Sequence, residues 1–341
     1  MKSRRIRIPI IILALLIITG SIVISKETQE NWPETNIKDE YKPIVETALA
    51  DYKLQNRDYK SMLQKYDVFG DYLNWGITKD YSPSETIKLD EKGIPMVKYG
   101  ETFYYNPGTI AQYALTMYGK FIHGDQDPAK FLIAVEKLIE LQADNGCLPY
   151  PFAWKYYLEE KEYSSGWYSA MDSGQALSVY ARAYHITKDK KYLEYGNKAF
   201  GFLITPVSNG GVMDTLADLD PTLDQYIIFE EYLTKPTSYT LNGFMFALMG
   251  LYDWSQIDSD TQDQASTYFK KGIKTLEKIL PYYDIGGFTA YDLGYFTRKI
   301  QPHVGVGYHA IHVAFCNIFY QLTSKEVFMD YYKKWAAYVD K

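Results

Sequence analysis

The chain has 341 residues, 47% of them hydrophobic, enough to bury one large core or two. A formal net charge of −6 and a pI near 5.5 exclude a nucleic-acid binder, because phosphate contacts need clustered Lys and Arg. Cys147 and Cys316 are the only cysteines, so no disulfide framework or metal-ligand spacing is visible, free buried thiols are expected, and no cofactor is called for.

Residues 1–25 place Lys2, Arg4, Arg5 and Arg7 ahead of an apolar run from Ile8 to Ile24, the order of an export signal. The run is near the lower limit for spanning a bilayer and no A-x-A pattern follows it. An uncleaved membrane anchor is therefore expected in preference to a cleaved signal, with the rest of the chain extracytoplasmic. Residues 26–40 are a polar linker. Residues 41–100 form an N-terminal extension with a helix over Pro43–Lys53, the aromatic stretch VFGDYLNWGI, and KLDEKGIPMVKYGE, whose alternation predicts a short hairpin. Whether this extension is a separate lobe or pads the helical region after it stays open, as does a homodimer.

From residue 101 onward the pattern becomes helical and paired: Thr109–Phe121 with Ala129–Gln142, Ala170–Ile186 with Lys190–Leu203, Tyr239–Trp254 with Thr261–Leu280, and Tyr308–Leu322 with Lys325–Val339. Apolar residues recur at three- and four-residue spacing in each. First-helix starts near 109, 170, 239 and 308 make a loose repeat of roughly 60 to 70 residues, and stacked helical hairpins of this kind predict an α/α toroid, closed or nearly so. The inner helices carry Gln112, Gln175, Asn242 and His309 in their first turns. Such groups face a wet pocket or bond between helices; both readings stand.

The connection FEEYLTKPTSYTLNGF places Glu230, Glu231 and Tyr232 before the third inner helix. Pro236 interrupts any helix running on from Tyr232, and Thr237 or Ser238 is the expected cap of the next. The 34 tyrosines suit carbohydrate surfaces, and equally suit packing between helices.

Together with YYNPGTIAQYAL (Tyr104–Leu115), SGWYSAMDSGQAL (Ser165–Leu177), FTAYDLGYF (Phe288–Phe296) and VGVGYHAIHV (Val304–Val313), that connection resembles the C-terminal domain of D-glucuronyl C5-epimerases. Those enzymes convert glucuronic to iduronic acid within heparosan. The resemblance implies active-site roles for Glu231, Tyr232, Tyr291, Tyr308 and His309, and a substrate contact for Asn242. In or beside these blocks Gln112, Gln175, Tyr105, Trp167, Tyr168 and Glu230 are further candidate substrate contacts. Two arginines of vertebrate members are replaced by Gly294 and, nearby, Gly305, and the animal enzymes' large N-terminal β-rich region is absent.

Inverting C5 of a uronic acid requires two proton-transfer groups facing each other across the sugar. The expectation is that Tyr232 and Tyr308 flank the sugar, Glu231 and His309 help move protons, and Tyr291 holds the substrate. The partner is then an acidic, glucuronic-acid-containing polysaccharide, whose carboxylate must be neutralised before a carbanion can form. Lys155, Arg182, Arg298 and Lys299 are the candidate cations, with a structural ion pair as the other reading of Arg182. His123, His303 and His312 show no metal spacing. A polysaccharide lyase, a glycoside hydrolase using Glu230 or Glu231, and a non-catalytic glycan-binding protein are the alternatives.

Overall fold

Apolar residues recurring every third and fourth position can be buried only by pairing one helix with another, and the long helices are arranged in this way. The computed structural model describes residues 38–340. It opens with α1 (Lys42–Leu54) and the single turn α2 (Trp75–Thr78), followed by an antiparallel sheet of β1 (Ile87–Leu89), β2 (Pro95–Tyr99) and β3 (Thr102–Tyr104). The first two hairpins are α3 (Pro107–Ile122) with α4 (Pro128–Leu141) and α5 (Ala170–Thr187) with α6 (Lys191–Leu203). A two-stranded sheet, β4 (Met213–Thr215) and β5 (Ile227–Phe229), precedes α7 (Leu241–Ser255) and its partner α8 (Gln262–Tyr283). The turn α9 (Gly294–Thr297) leads to the last hairpin, α10 (Val306–Thr323) with α11 (Glu326–Val339).

Inner helices α3, α5, α7 and α10 pack in that order and outer helices cover them, which makes an α/α toroid. α7 is buried almost all round, as an inner position requires, whereas α6, α8 and α11 each bury one face. Three starts are capped as their sequences dictate: the side chains of Asn106, Asp127 and Ser169 accept from Thr109, Ala129 and Met171 amides. Two local expectations are corrected. α7 begins at Leu241 after Thr240, and neither Thr237 nor Ser238 caps it: the Thr237 amide donates to Asp218 and its hydroxyl lies 3.4 Å from both Asp214 and Glu230, while the Ser238 hydroxyl lies 3.3 Å from that of Thr240. The expected hairpin gains a third strand, since Thr102–Tyr104 folds back on β2 after a turn at Gly100, which has positive φ.

The segment before α3 completes the ring. α1 and the 3-10 turn Lys60–Met62 pack on α10, while α2 packs on α3. Gly76 and Gly119 let α2 and α3 touch backbone to backbone: a Cβ on Gly76 would sit 2.5 Å from the Gly119 carbonyl carbon. Buried Asp71 accepts from the Gly76 amide at 2.9 Å and pairs with His123 at 3.1 Å. The approach to α2 is strained, with Leu73 and Asn74 both left-handed at φ 52° and 56°. Each such residue costs on the order of 1–3 kcal/mol, and persists only where its surroundings over-determine it.

Arg182 proves to be structural. It is fully buried, donates to Asp253 at 2.8 Å and to the Ser178 carbonyl at 3.0 Å, and lies between the Tyr72 and Tyr118 rings. Tyr66 donates to the other Asp253 oxygen at 2.7 Å, so this pair also fastens the N-terminal segment to α5 and α7. Cys147 and Cys316 are free and buried, as expected. Among the described residues no helix is long and apolar enough to cross a membrane. The anchor expected at residues 1–25, and all but the last three residues of the expected linker, lie outside the described residues.

Candidate active site

The starts of the inner helices and the connections leading into them enclose a cavity of about 730 Å³. Gln112 from α3, Met171 from α5, Asn242 from α7 and Tyr308 from α10 all line it, with Glu231 and Tyr232 from the connection before α7. One expectation for the inner-helix polar groups is thus met by Gln112 and Asn242. It fails for Gln175, which is buried one turn further along α5 and has no hydrogen-bond partner among the described residues.

Glu231 is positioned by its backbone neighbours. The Glu230 amide donates to the Val212 carbonyl at 2.8 Å, and the Glu230 carbonyl accepts from the Ala170 amide at 2.9 Å. This fixes the start of the connection to the entry of α5. Gly243 then lets α7 pass against the carboxyl group, since a Cβ there would lie 2.4 Å from Glu231 Oε2. Tyr291 is pinned as firmly: its amide donates to the His303 carbonyl at 2.7 Å and its carbonyl accepts from Leu241 at 3.0 Å. Its hydroxyl donates to Glu231 Oε1 at 3.2 Å, and its ring lies 4.5 Å from that of Tyr308. Glu231 Oε2 and Asn242 Oδ1 are buried without a hydrogen-bond partner among the described residues.

Burial, and then the charge of Asp172, raise Glu231 to about 8, against the hydrogen bond from Tyr291 and the nearby polar groups of Tyr232 and Asn242. Asp172 is itself pushed up to about 7 by burial, opposed by Tyr150. Burial also lifts Tyr308 to about 12, reinforced by Glu231, and holds Tyr232 and Tyr291 well above the ordinary phenol value. At neutral pH the phenols are therefore acids. Glu231 and Asp172 can exchange a proton near neutrality, and of the two it is Glu231 that lines the cavity.

An aromatic wall adjoins these groups. Trp167 stacks on Tyr150 at 3.7 Å, Tyr232 on Tyr156 at 4.0 Å, and Tyr99 on Phe152 at 3.8 Å. Flat faces of this kind match the apolar faces of sugar rings. Tyr308 stays accessible, with 39% of its surface exposed.

Several expected residues stand elsewhere. His309 is fully buried behind the cavity, with Nδ1 2.9 Å from Thr289 Oγ1 and Nε2 3.2 Å from the Trp335 carbonyl, and burial lowers it to about 3. It cannot carry protons to substrate from there. His312 also turns Nδ1 to Thr289, at 2.9 Å, so the two histidines share a hydroxyl. No metal-binding cluster of His, Cys, Asp or Glu occurs among the described residues. Tyr105 points to Asp90 at 2.8 Å under the Lys137 ammonium, and Tyr168 donates to the Gly210 carbonyl at 3.0 Å; neither lines the cavity. Glu230 turns its carboxyl group away toward Thr237 and Asp214, and burial holds it well above the ordinary range. Exposed Lys155 reaches the Glu160 carbonyl, Arg298 pairs with Glu159 at 3.1 Å, and exposed Lys299 is likewise absent from the cavity wall.

Sequence reasoning missed Tyr150, Asp172, Arg57 and Lys79. Asp172 left a trace, an acid in the first turn of an otherwise apolar helix. Lys79 and Arg57 left none, because they come from the N-terminal extension. The glycines at the places of the vertebrate arginines have packing reasons: a Cβ at Gly305 would meet the Tyr308 ring at 2.4 Å, and one at Gly294 would meet Leu158 and Asp292 at 3.0 Å.

The model of the family described as D-glucuronyl C5-epimerase C-terminus matches residues 142–337. A D-glucuronyl C5-epimerase of Caenorhabditis elegans is 31% identical over 225 residues, covering 63% of this chain and 35% of that protein. An uncharacterized protein of Methanocaldococcus jannaschii is 31% identical over 185 residues, covering 53% of this chain and 56% of the other. The chain thus spans about a third and just over half of these two relatives. Among solved structures, an unsaturated glucuronyl hydrolase from Streptococcus agalactiae superposes with a TM-score of 0.40 at 12% identity, over 67% of this chain and 59% of that one. A polysaccharide lyase gives 0.41 at 12% identity, over 87% and 72%. Through a match that covers more than half of its length, and that contains Glu231, Tyr232, Tyr291 and Tyr308, the chain belongs to the D-glucuronyl C5-epimerase family.

Proposed function

We propose that the protein is an isomerase that inverts C5 of D-glucuronic acid residues within a polysaccharide, giving L-iduronic acid. The observation that carries this reading is the cavity's pairing of one carboxyl group near neutrality, Glu231, with an accessible phenol on a different element, Tyr308. Ionised Glu231 takes the C5 hydrogen as a proton, and the electron pair of the broken C–H bond passes into the substrate carboxylate. The Tyr308 hydroxyl then gives its proton to the opposite face of C5, forming the new C–H bond. Tyr291, bonded to Glu231 and beside Tyr308, lies on the line by which the proton can return from the carboxylic acid to the phenolate. Two positioned groups of this kind supply roughly 10²–10⁴ each. Relative to the assignment drawn from sequence, Glu231 becomes the base, Tyr232 moves to the aromatic wall, and His309 drops out.

A hydrolase would need a second carboxylate facing the sugar. Asp58 and Glu231 are the carboxylates lining the cavity among the described residues, and Asp58 already accepts from the Lys60 and Ser61 amides. The basic and apolar order of residues 1–25 supports the companion proposal that the cavity works outside the cytoplasm on an anchored protein. The test is incubation with desulfated glucuronic-acid polymers in heavy water. Deuterium at C5 with new iduronate resonances is expected. An unsaturated, ultraviolet-absorbing product would instead indicate a lyase, and the absence of both signals would refute the reading.

A further inference from the structure

We infer that Lys79, supplied by the N-terminal extension, is the cation that receives the substrate's carboxylate in the cavity. This rests on the uronate reading above. The charged groups lining the cavity are Arg57, Asp58, Lys79 and Glu231. Arg57 is exposed at the rim and its guanidinium is held by Gln55 Oε1, at 3.2 Å from Nε and 2.9 Å from Nη2. Lys79 is half-buried, its Nζ donates to Gln112 Oε1 at 2.9 Å, and it stands 4.0 Å above the Trp75 ring. No carboxylate pairs with it among the described residues, whereas all four cations expected from sequence are spent on other partners or lie away from the cavity.

The placement of Lys79 is constructed by the fold. Its amide closes α2 by donating to the Trp75 carbonyl at 3.0 Å, and α2 is seated on α3 through the Gly76–Gly119 contact and Asp71. The left-handed turn at Leu73 and Asn74 delivers that element, and the Asn74 amide group holds the turn to the Ser61 carbonyl at 2.8 Å. A strained turn, a backbone-to-backbone helix contact and a neutral amide partner orient an ammonium whose charge has no counterion among the described residues. Burial lowers it to about 8, the mark of a cation that gains from meeting an anion. A carboxylate is the anion the proposed reaction brings, and neutralising it is what carbanion formation at C5 requires.

The test uses the full chain and two ligands: a glucuronic-acid-containing tetrasaccharide, and the same tetrasaccharide with its carboxyl groups reduced to primary alcohols. Wild type should bind the acidic ligand roughly tenfold to a hundredfold more tightly than the reduced one. Lys79→Met and, as a polar variant that keeps a donor for Gln112, Lys79→Gln should bind both ligands alike, with Lys79→Arg restoring part of the preference. If wild type prefers the acidic ligand and the folded variants keep that preference, Lys79 is overturned while the uronate reading survives. If wild type shows no preference or binds neither ligand, the uronate reading falls and Lys79 with it.

Discussion

The Tyr291 hydroxyl donates to Oε1 of Glu231 at 3.2 Å, so a phenol from the connection before α10 stabilises the ionised form of a carboxyl group on the connection before α7. Tyr291→Phe removes that donor and should raise Glu231 above its value of about 8. With the ionised form as the proposed base, the acidic limb of kcat/KM against pH should move to higher pH, by roughly one to two units. A limb that stays in place would show that Tyr291 does not tune Glu231.

Asp172 acts on the same group with opposite sign. Asp172→Asn removes a like charge, so Glu231 should fall and the acidic limb should move to lower pH. The variant should also be stabilised in alkali. Asp172 titrates near 3.8 unfolded and near 7 folded, so its penalty is absent below the first value, grows between the two and is complete above the second. That interval corresponds to on the order of 4 kcal/mol. Urea midpoints should thus diverge in favour of the variant from pH 4 to pH 8, and parallel midpoints would contradict the account.

Arg182 and Asp253, 2.8 Å apart in the core, predict a purely structural phenotype. Arg182→Met leaves a buried carboxylate unpaired and should cost roughly 3–5 kcal/mol in denaturant unfolding. KM of the folded protein should not change. A raised KM with unchanged stability would return Arg182 to the substrate site.

The toroid was legible because its cause is periodic: eight apolar stripes in four pairs permit few other packings. Glu231, Tyr232, Tyr291 and Tyr308 were legible through the resemblance of their sequence blocks to the epimerase family, and Asn242 also as a polar group near the start of an otherwise apolar inner helix. What failed was the direction of individual side chains. His309 directly follows Tyr308, yet on a helix neighbours point about 100° apart, so one faces the cavity and the other Thr289. Tyr105 and Tyr168 failed for the same reason, each preceding a helix but turned outward. Lys79 was beyond reach, since its position depends on a left-handed turn and a glycine contact between elements far apart in sequence.

The most direct measurement is the rate of deuterium entry at C5 of a desulfated glucuronic-acid polymer in heavy water, for wild type, Glu231→Gln and Tyr308→Phe, each shown to unfold cooperatively. The account predicts labelled iduronate from wild type and a loss of roughly 10²–10⁴ in each variant. Labelled iduronate formed at the wild-type rate by either folded variant would contradict it.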